Sequence, residues 1–275
     1  MPRIPLEDNF DDVINKAQRG LKISDEDLAK RAEVSAEDLA AVKAGEPIDA
    51  VIRRVARHLR LSPNALEALA HKRWYPEQPV FPRGFAAFNT TFEDMTVNHY
   101  LVWDPRERVA AAFDTGASSE AMLDIIEAER LRLRYIFITH THEDHVADLE
   151  RLADAKPEAE IWSHELEPIS RPGARTFAEN AHFHVGELAI KTLLTSGHSP
   201  GLTTFFITGL SWPLAIVGDA LFASSMGGSA THYQDQHRNT AQKIFTLPRD
   251  TVIAPGHGPL TTLSQEKLNN PFFAR

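Results

Sequence analysis

Six consecutive residues, His140 to His145, carry three imidazoles and two carboxylates. No other part of the chain concentrates metal-binding groups in this way, so any fold it adopts must deliver them together. The surrounding stretch, THTHEDHVADL, follows the apolar, β-branched run IFIT. His140 and His142 alternate, and an extended backbone sends both to the same side. Asp144 and His145 fall where VADLERLADA is expected to start a helix with Val146, Leu149 and Leu152 facing inward. Acidic groups suit a helix start because of its dipole. The cluster therefore belongs on a loop at the C-terminal end of a buried strand.

Three further segments repeat that design. LLTSGHSPG sets His198 after a strand, LAIVGDALF ends an apolar strand at Asp219, and TVIAPGHGP places His257 between two glycines. A carboxylate leaving an apolar strand, as Asp219 does, is costly to bury without a cation or donor beside it. The chain has no cysteine, so thiolate ligands and disulfides are excluded and any metal must sit on histidines and carboxylates. One catalytic ion needs about three protein ligands and a solvent position. The seven candidates His140, His142, Asp144, His145, His198, Asp219 and His257 suggest two ions. The natural division gives His140, His142 and His198 to one, gives Asp144, His145 and His257 to the other, and lets Asp219 bridge.

Taken in order, THTHEDH, SGHSPG, GDALF and APGHGPLTT resemble the metallo-β-lactamase superfamily, and the ending PGHGPLTTLSQEKLNNPFF is similar to glyoxalase-II-like hydrolases. The resemblance covers roughly Phe85 to Arg275. It implies an αββα sandwich with metals at one edge, and it matches the ligand division residue by residue. Asp114 in FDTG resembles the superfamily's early aspartate, which positions other groups rather than binding metal. The implied activity is dinuclear metal-dependent hydrolysis of an ester-like bond, with a thioester as the leading substrate class. A metal-bridging hydroxide would be the nucleophile, and Asp144 and Asp219 the catalytic carboxylates. Two divalent ions are expected, zinc first, with iron or manganese as alternatives. Gly228 stands where glyoxalase II relatives carry an arginine, and the chain stops at Arg275, where they continue into a helical extension. Glutathione is therefore not the expected acyl carrier. Lactones, other acyl thioesters and phosphodiesters stay open as substrates of this small-molecule enzyme. His232 and Tyr233 are candidates to line the substrate pocket. The alternative enzyme of similar scaffold is a persulfide dioxygenase, with a single iron on His140, His198 and Asp219.

Ahead of this region the pattern is helical. Ser24 with Asp27 and Ser35 with Asp38 have capping-box spacing, Gly45 suits a helix stop, and Ser62-Pro63 a helix start. The stretch from Ile23 to Leu66 resembles a phage-repressor-type helix-turn-helix, with Glu33 where that family has glycine. Its reading helix offers Ala36, Glu37, Ala40 and Ala41 outward, with Lys43 its one basic residue. Reading bases needs polar or basic donors and positive charge. The expected role is covering the other domain or forming a homodimer. The alternative is a DNA-binding regulator with the metal domain as sensor.

RWYPEQPVFPRG reads as a linker. The expected organisation is a helical module over 1–72, a linker over 73–84 and a catalytic domain over 85–275. In that last region strands alternate with helices, the mark of an α/β fold. The chain carries a net charge of −9, all of it beyond residue 75. An acidic body is a poor partner for polynucleotides. The uncharged run from Leu202 to Gly218 is broken by Gly209 and Pro213 and reads as two buried strands rather than a membrane span. MPRIPLEDNFDDV lacks the layout of a signal peptide. A cytoplasmic protein without membrane contact is expected.

Overall fold

The computed structural model describes residues 3–274. Five helices come first: α1 (Phe10–Leu21), α2 (Asp25–Ala32), α3 (Ala36–Lys43), α4 (Asp49–His58) and α5 (Pro63–Ala70). The caps form as their spacing predicts. Ser24 Oγ accepts from the Asp27 amide at 3.1 Å and Ser35 Oγ from the Asp38 amide at 3.0 Å. Glu33 caps the C-terminal end of α2 with a left-handed backbone, φ of 52°, a conformation more often taken by glycine. α1 is not among the helices that the Ser24 and Ser35 capping boxes announce. Its start is closed by a capping box on Asn9, in which the Asp12 carboxylate accepts from the Asn9 amide at 3.0 Å.

From residue 85 the chain builds two six-stranded sheets. The first pairs β1 (Phe85–Phe92), β2 (Met95–Trp103), β3 (Val109–Phe113), β4 (Arg132–Phe137), β5 (Glu160–His164) and β6 (Arg175–Phe177) in sequence order. It is antiparallel up to β3 and parallel from there. α6 (Glu120–Ala128), α7 (Glu143–Val146) and α8 (Leu149–Ala155) lie between its later strands in sequence. The second sheet holds β7 (His182–Val185), β8 (Leu188–Leu194), β9 (Thr203–Thr208), β10 (Leu214–Gly218), β11 (Val252–Pro255) and β12 (Thr261–Thr262). Only β10 and β11 pair in parallel there. The run from Leu202 to Gly218 is thus the β9–β10 hairpin. α9 (Tyr233–Asn239) runs into a π-helical turn (Thr240–Ile244), and α10 (Leu263–Asn269) follows β12. Among the described residues no helix is long and apolar enough to cross a membrane.

Apolar alternation makes each sheet bury two faces. Phe113, Phe137, Phe205, Ile207 and Ile216 interlock between the sheets. Leu101, Ala112 and Ile136 meet Met122 of α6 and Leu152 of α8 outside the first sheet, and Val217 and Ile253 meet Ile244 and Leu263 outside the second. The result is an αββα sandwich preceded by five helices. Phe137 is fully buried and packs against Phe205 at 5.1 Å between ring centres. Truncating such a residue to alanine costs about 3–5 kcal/mol.

One expectation needs correction. VADLERLADA is not one helix. The single turn α7 and the longer α8 are separate, because Asp148 turns away to accept hydrogen bonds from the amide and hydroxyl of Ser119. The five helices share their core with the later chain: Val13, Ile14 and Ala17 of α1 cluster with Met226, Tyr233 and Phe272.

Candidate metal centre

The seven predicted residues emerge from four strand exits onto one edge of the sandwich. His140 to His145 follow β4, His198 follows β8, Asp219 follows β10 and His257 follows β11. Nδ1 of His142 lies 3.1 Å from Nε2 of His140 and 3.0 Å from Nε2 of His198. With Asp219 these three form one group whose donor atoms lie within 4.8 Å of one another. Asp144, His145 and His257 form a second such group.

Asp219 spans the two. Its Oδ2 is 3.2 Å from His198 Nε2, 3.9 Å from His140 Nε2 and 3.5 Å from His257 Nε2. Its Oδ1 is 3.5 Å from His145 Nε2. Asp144 Oδ2 approaches His257 Nε2 at 3.3 Å and His145 Nε2 at 3.5 Å.

A second layer fixes the rings. His145 Nδ1 donates to Asp114 Oδ2 at 2.8 Å, and Asp114 also accepts from the amide and hydroxyl of Thr139. His257 Nδ1 donates to the Thr96 carbonyl at 2.7 Å and His198 Nδ1 to the Gly228 carbonyl at 2.8 Å. Occupying Nδ1 this way leaves Nε2 free and aimed inward, the usual device for orienting a metal-binding imidazole. Asp114 therefore sits where its resemblance to a positioning aspartate placed it.

Electrostatics favour a cation here. Burial disfavours a charged His145, yet Asp114 and Asp219 outweigh it and raise the ring to about 10. For His257, burial is again outweighed, by Asp219 and Asp144, and the ring rises to about 11. Burial opposes the Asp219 carboxylate too, but the His257 and His145 rings hold it well below the usual carboxylate range. His140 moves the other way, driven well below its ordinary value by burial and then by the neighbouring His145 charge. In the metal-free protein protons thus occupy the space where positive charge is wanted.

The residues fit a metal by a direct observation: His145 Nε2 and Asp219 Oδ1 are buried and have no hydrogen-bond partner. Buried polar atoms are normally satisfied, and a cation between these two would satisfy both. Five imidazoles and two carboxylates suit zinc, iron or manganese. Gly256 is part of the fit, because a Cβ there would overlap Asp219 Oδ1 and crowd the His145 ring.

The centre is reachable from outside, since His142 is exposed and His198 partly so. Beside His198 lies a cavity of about 630 Å³, lined in part by Ser199, His232, Asp235, Arg238 and Lys243. His232 lines this cavity. Tyr233 does not: its ring is buried against Gly20 of α1, so close that a Cβ on Gly20 would overlap it. Sequence reasoning missed the carbonyls of Thr96 and Gly228 and the close approach of Gly256, since a backbone contact leaves little trace in residue type.

Comparison with known proteins agrees with this geometry. The family model described as "Metallo-beta-lactamase superfamily" matches residues 93–257. The chain is 29% identical over 198 residues to hydroxyacylglutathione hydrolase GloC of Haemophilus influenzae, covering 64% of this chain and 92% of that one. It is 30% identical over 185 residues to the human mitochondrial persulfide dioxygenase ETHE1, covering 62% and 69%. The crystal structure of TTHA1623 in a di-iron-bound form superposes with a TM-score of 0.55 at 26% identity, over 67% of this chain and 99% of that one. The two sheets, the four strand-exit loops and the match over residues 93–257 show that the chain belongs to the metallo-beta-lactamase superfamily.

Proposed function

We propose that this protein is a dinuclear metal-dependent hydrolase of an ester-like bond, with an acyl thioester as its substrate class. The observation that supports it best is Asp219, whose carboxylate lies against both groups of ligands, with Oδ1 beside His145 and Oδ2 beside His198 and His257. His140, His142 and His198 would hold one ion, Asp144, His145 and His257 the other, and Asp219 both. When bound, two such ions lower the pKa of water and polarise a carbonyl. Zinc is the first choice, with iron or manganese as alternatives.

The chain's own groups do the rest. Asp114, Thr96 and Gly228 keep the inward nitrogens aimed without reorganisation during turnover. Asp144 and Asp219 face the reacting water and take the proton that it gives up as it adds to the carbonyl. The C–S bond then breaks, the carboxylates pass that proton to the leaving sulfur, and the thiol departs through the opening beside His142 and His198. No serine, cysteine or lysine nucleophile is required. The di-iron relative and the hydroxyacylglutathione hydrolase both support this reading.

The test is thiol release from an acyl thioester, with a lactone run in parallel, by the metal-loaded full chain and by its Asp219→Ala variant. Metal-dependent thiol release that the variant loses is the expected result. Oxygen consumption with a persulfide and no thioester turnover would overturn it in favour of the one-iron dioxygenase.

A further inference from the structure

The helical module reaches the metal centre. Residues 5–8 run between two of the loops that carry the proposed ligands. On one side Glu7 backs onto Gly258, next to His257: a Cβ on Gly258 would lie 3.2 Å from the Glu7 amide nitrogen. On the other side Asp8 Oδ2 accepts from Ser225 Oγ at 2.5 Å and from Lys16 Nζ at 2.5 Å. Lys16, on α1, also donates to the Met226 carbonyl at 3.1 Å. Both charged groups are largely buried, with side chains 16% and 8% exposed. Charges taken out of water are retained only where each meets good partners.

The loop that they grip leads straight to a ligand. Ser225 is tied to Asp8 and the Met226 carbonyl to Lys16, while the Met226 side chain is buried in the helical core. The Gly227 amide donates to the Asp219 carbonyl at 3.1 Å, and the Gly227 carbonyl accepts from Gln236 at 2.8 Å. The Gly228 carbonyl then accepts from His198 Nδ1. Gly228 has no side chain to hold its own place, and the nearest side-chain atom to a Cβ built there is Lys16 Cε at 3.9 Å.

We propose that Asp8 and Lys16 are positioning residues for the metal centre: the pair fixes the Ser225–Gly228 loop, and through the Gly228 carbonyl it sets the orientation of His198. The helical module is then a working wall of the active site. This rests on the reading of His198 as a metal ligand. Groups that orient ligands are worth roughly 10–100-fold in metal affinity, and a pair acting one residue further out belongs at the lower end.

The test uses the full-length chain with Lys16→Met, Asp8→Asn and their double variant. Lys43→Met serves as control, since it breaks a pair of equal length, with Asp25, elsewhere in the module. Two readouts are taken: zinc affinity by competition with a chromophoric chelator, and hydrogen exchange of the Gly227 amide in metal-free protein. Each single variant should weaken one of two zinc ions about tenfold while sparing the other, and should speed Gly227 exchange about tenfold. The double variant should add little, because the two residues act as one unit, and the control should match wild type. Wild-type zinc affinities together with wild-type exchange in the folded single variants would overturn the proposal. Should those variants fail to fold, Ser225→Ala removes one hydrogen bond of the same unit, and wild-type behaviour of that protein in both readouts would overturn it equally. A wild-type chain that binds no zinc would sink the ligand reading instead, while exchange still decides whether the pair holds the loop.

Discussion

Gly256 stands so close behind Asp219 that a methyl group on it would overlap the carboxylate oxygen Oδ1. The backbone after β11 and the carboxylate after β10 are thus fitted to each other, and the space between them has no room for a side chain. Gly256→Ala should therefore push Asp219 and His145 off their positions. The expected result is a roughly 100-fold loss of turnover, the scale of a 1 Å misplacement of a reacting group. Circular dichroism should stay native while metal content falls.

Asp114→Asn tests the layer behind the ligands. The carboxylate orients His145 and also accepts from Thr139 twice. An amide of the same shape is a weaker acceptor and carries no charge. Metal affinity should drop roughly 10–100-fold, read by chelator competition, with fold and secondary structure retained.

Metal loading should release protons. In the metal-free protein His145 and His257 rise to about 10 and about 11, so both rings are protonated at neutral pH. A metal can bind an imidazole only after the proton leaves its nitrogen. Each chain should release about two protons at pH 8 on saturation with zinc, measured with an indicator dye in weak buffer. Apparent affinity should rise as pH is raised and fall as it is lowered. Zinc saturation without proton release would contradict this account of the site.

His99 predicts an acid-sensitive step in folding. Its ring is fully buried, stacks on Phe88 at 5.0 Å, and neither of its nitrogens has a partner. Burial lowers it to about 4. It stays neutral in the folded chain below pH 6.5, whereas in the unfolded chain it takes a proton there. Stability is thus complete above about pH 6.5 and is lost as pH falls towards 4, by up to about 3 kcal/mol. His99→Leu should remove that part of the slope, seen by comparing denaturant unfolding of both proteins between pH 7 and pH 4.5.

The two halves of the chain were unequally legible. All seven proposed ligands could be named from the sequence because they stand at the exits of four apolar strands, four of them crowded after IFIT and His198, Asp219 and His257 singly, and strand exits are where this architecture gathers polar groups. The sheets were legible for the same reason: IFIT and LAIVG are too apolar to lie anywhere but between layers. The edge strand β1 escaped, since its short apolar start FAAF gives way to polar NTT and most of its positions are only half-buried. α1 escaped as well, and with it the contacts of Asp8 and Lys16, because nothing local in FDDVINKAQRGL says that it packs on residues more than two hundred positions away. Tyr233 was misplaced through the same gap: it packs on that unseen helix rather than lining the cavity.

The central claim is that Asp219 joins two metal sites, and the most direct test is the number and identity of metal ions per chain in the purified, metal-loaded protein, with Asp219→Ala beside it. Two ions per wild-type chain, with both weakened or lost in the variant, is the predicted result. One iron per chain, bound without any requirement for Asp144, His145 or His257, would contradict it.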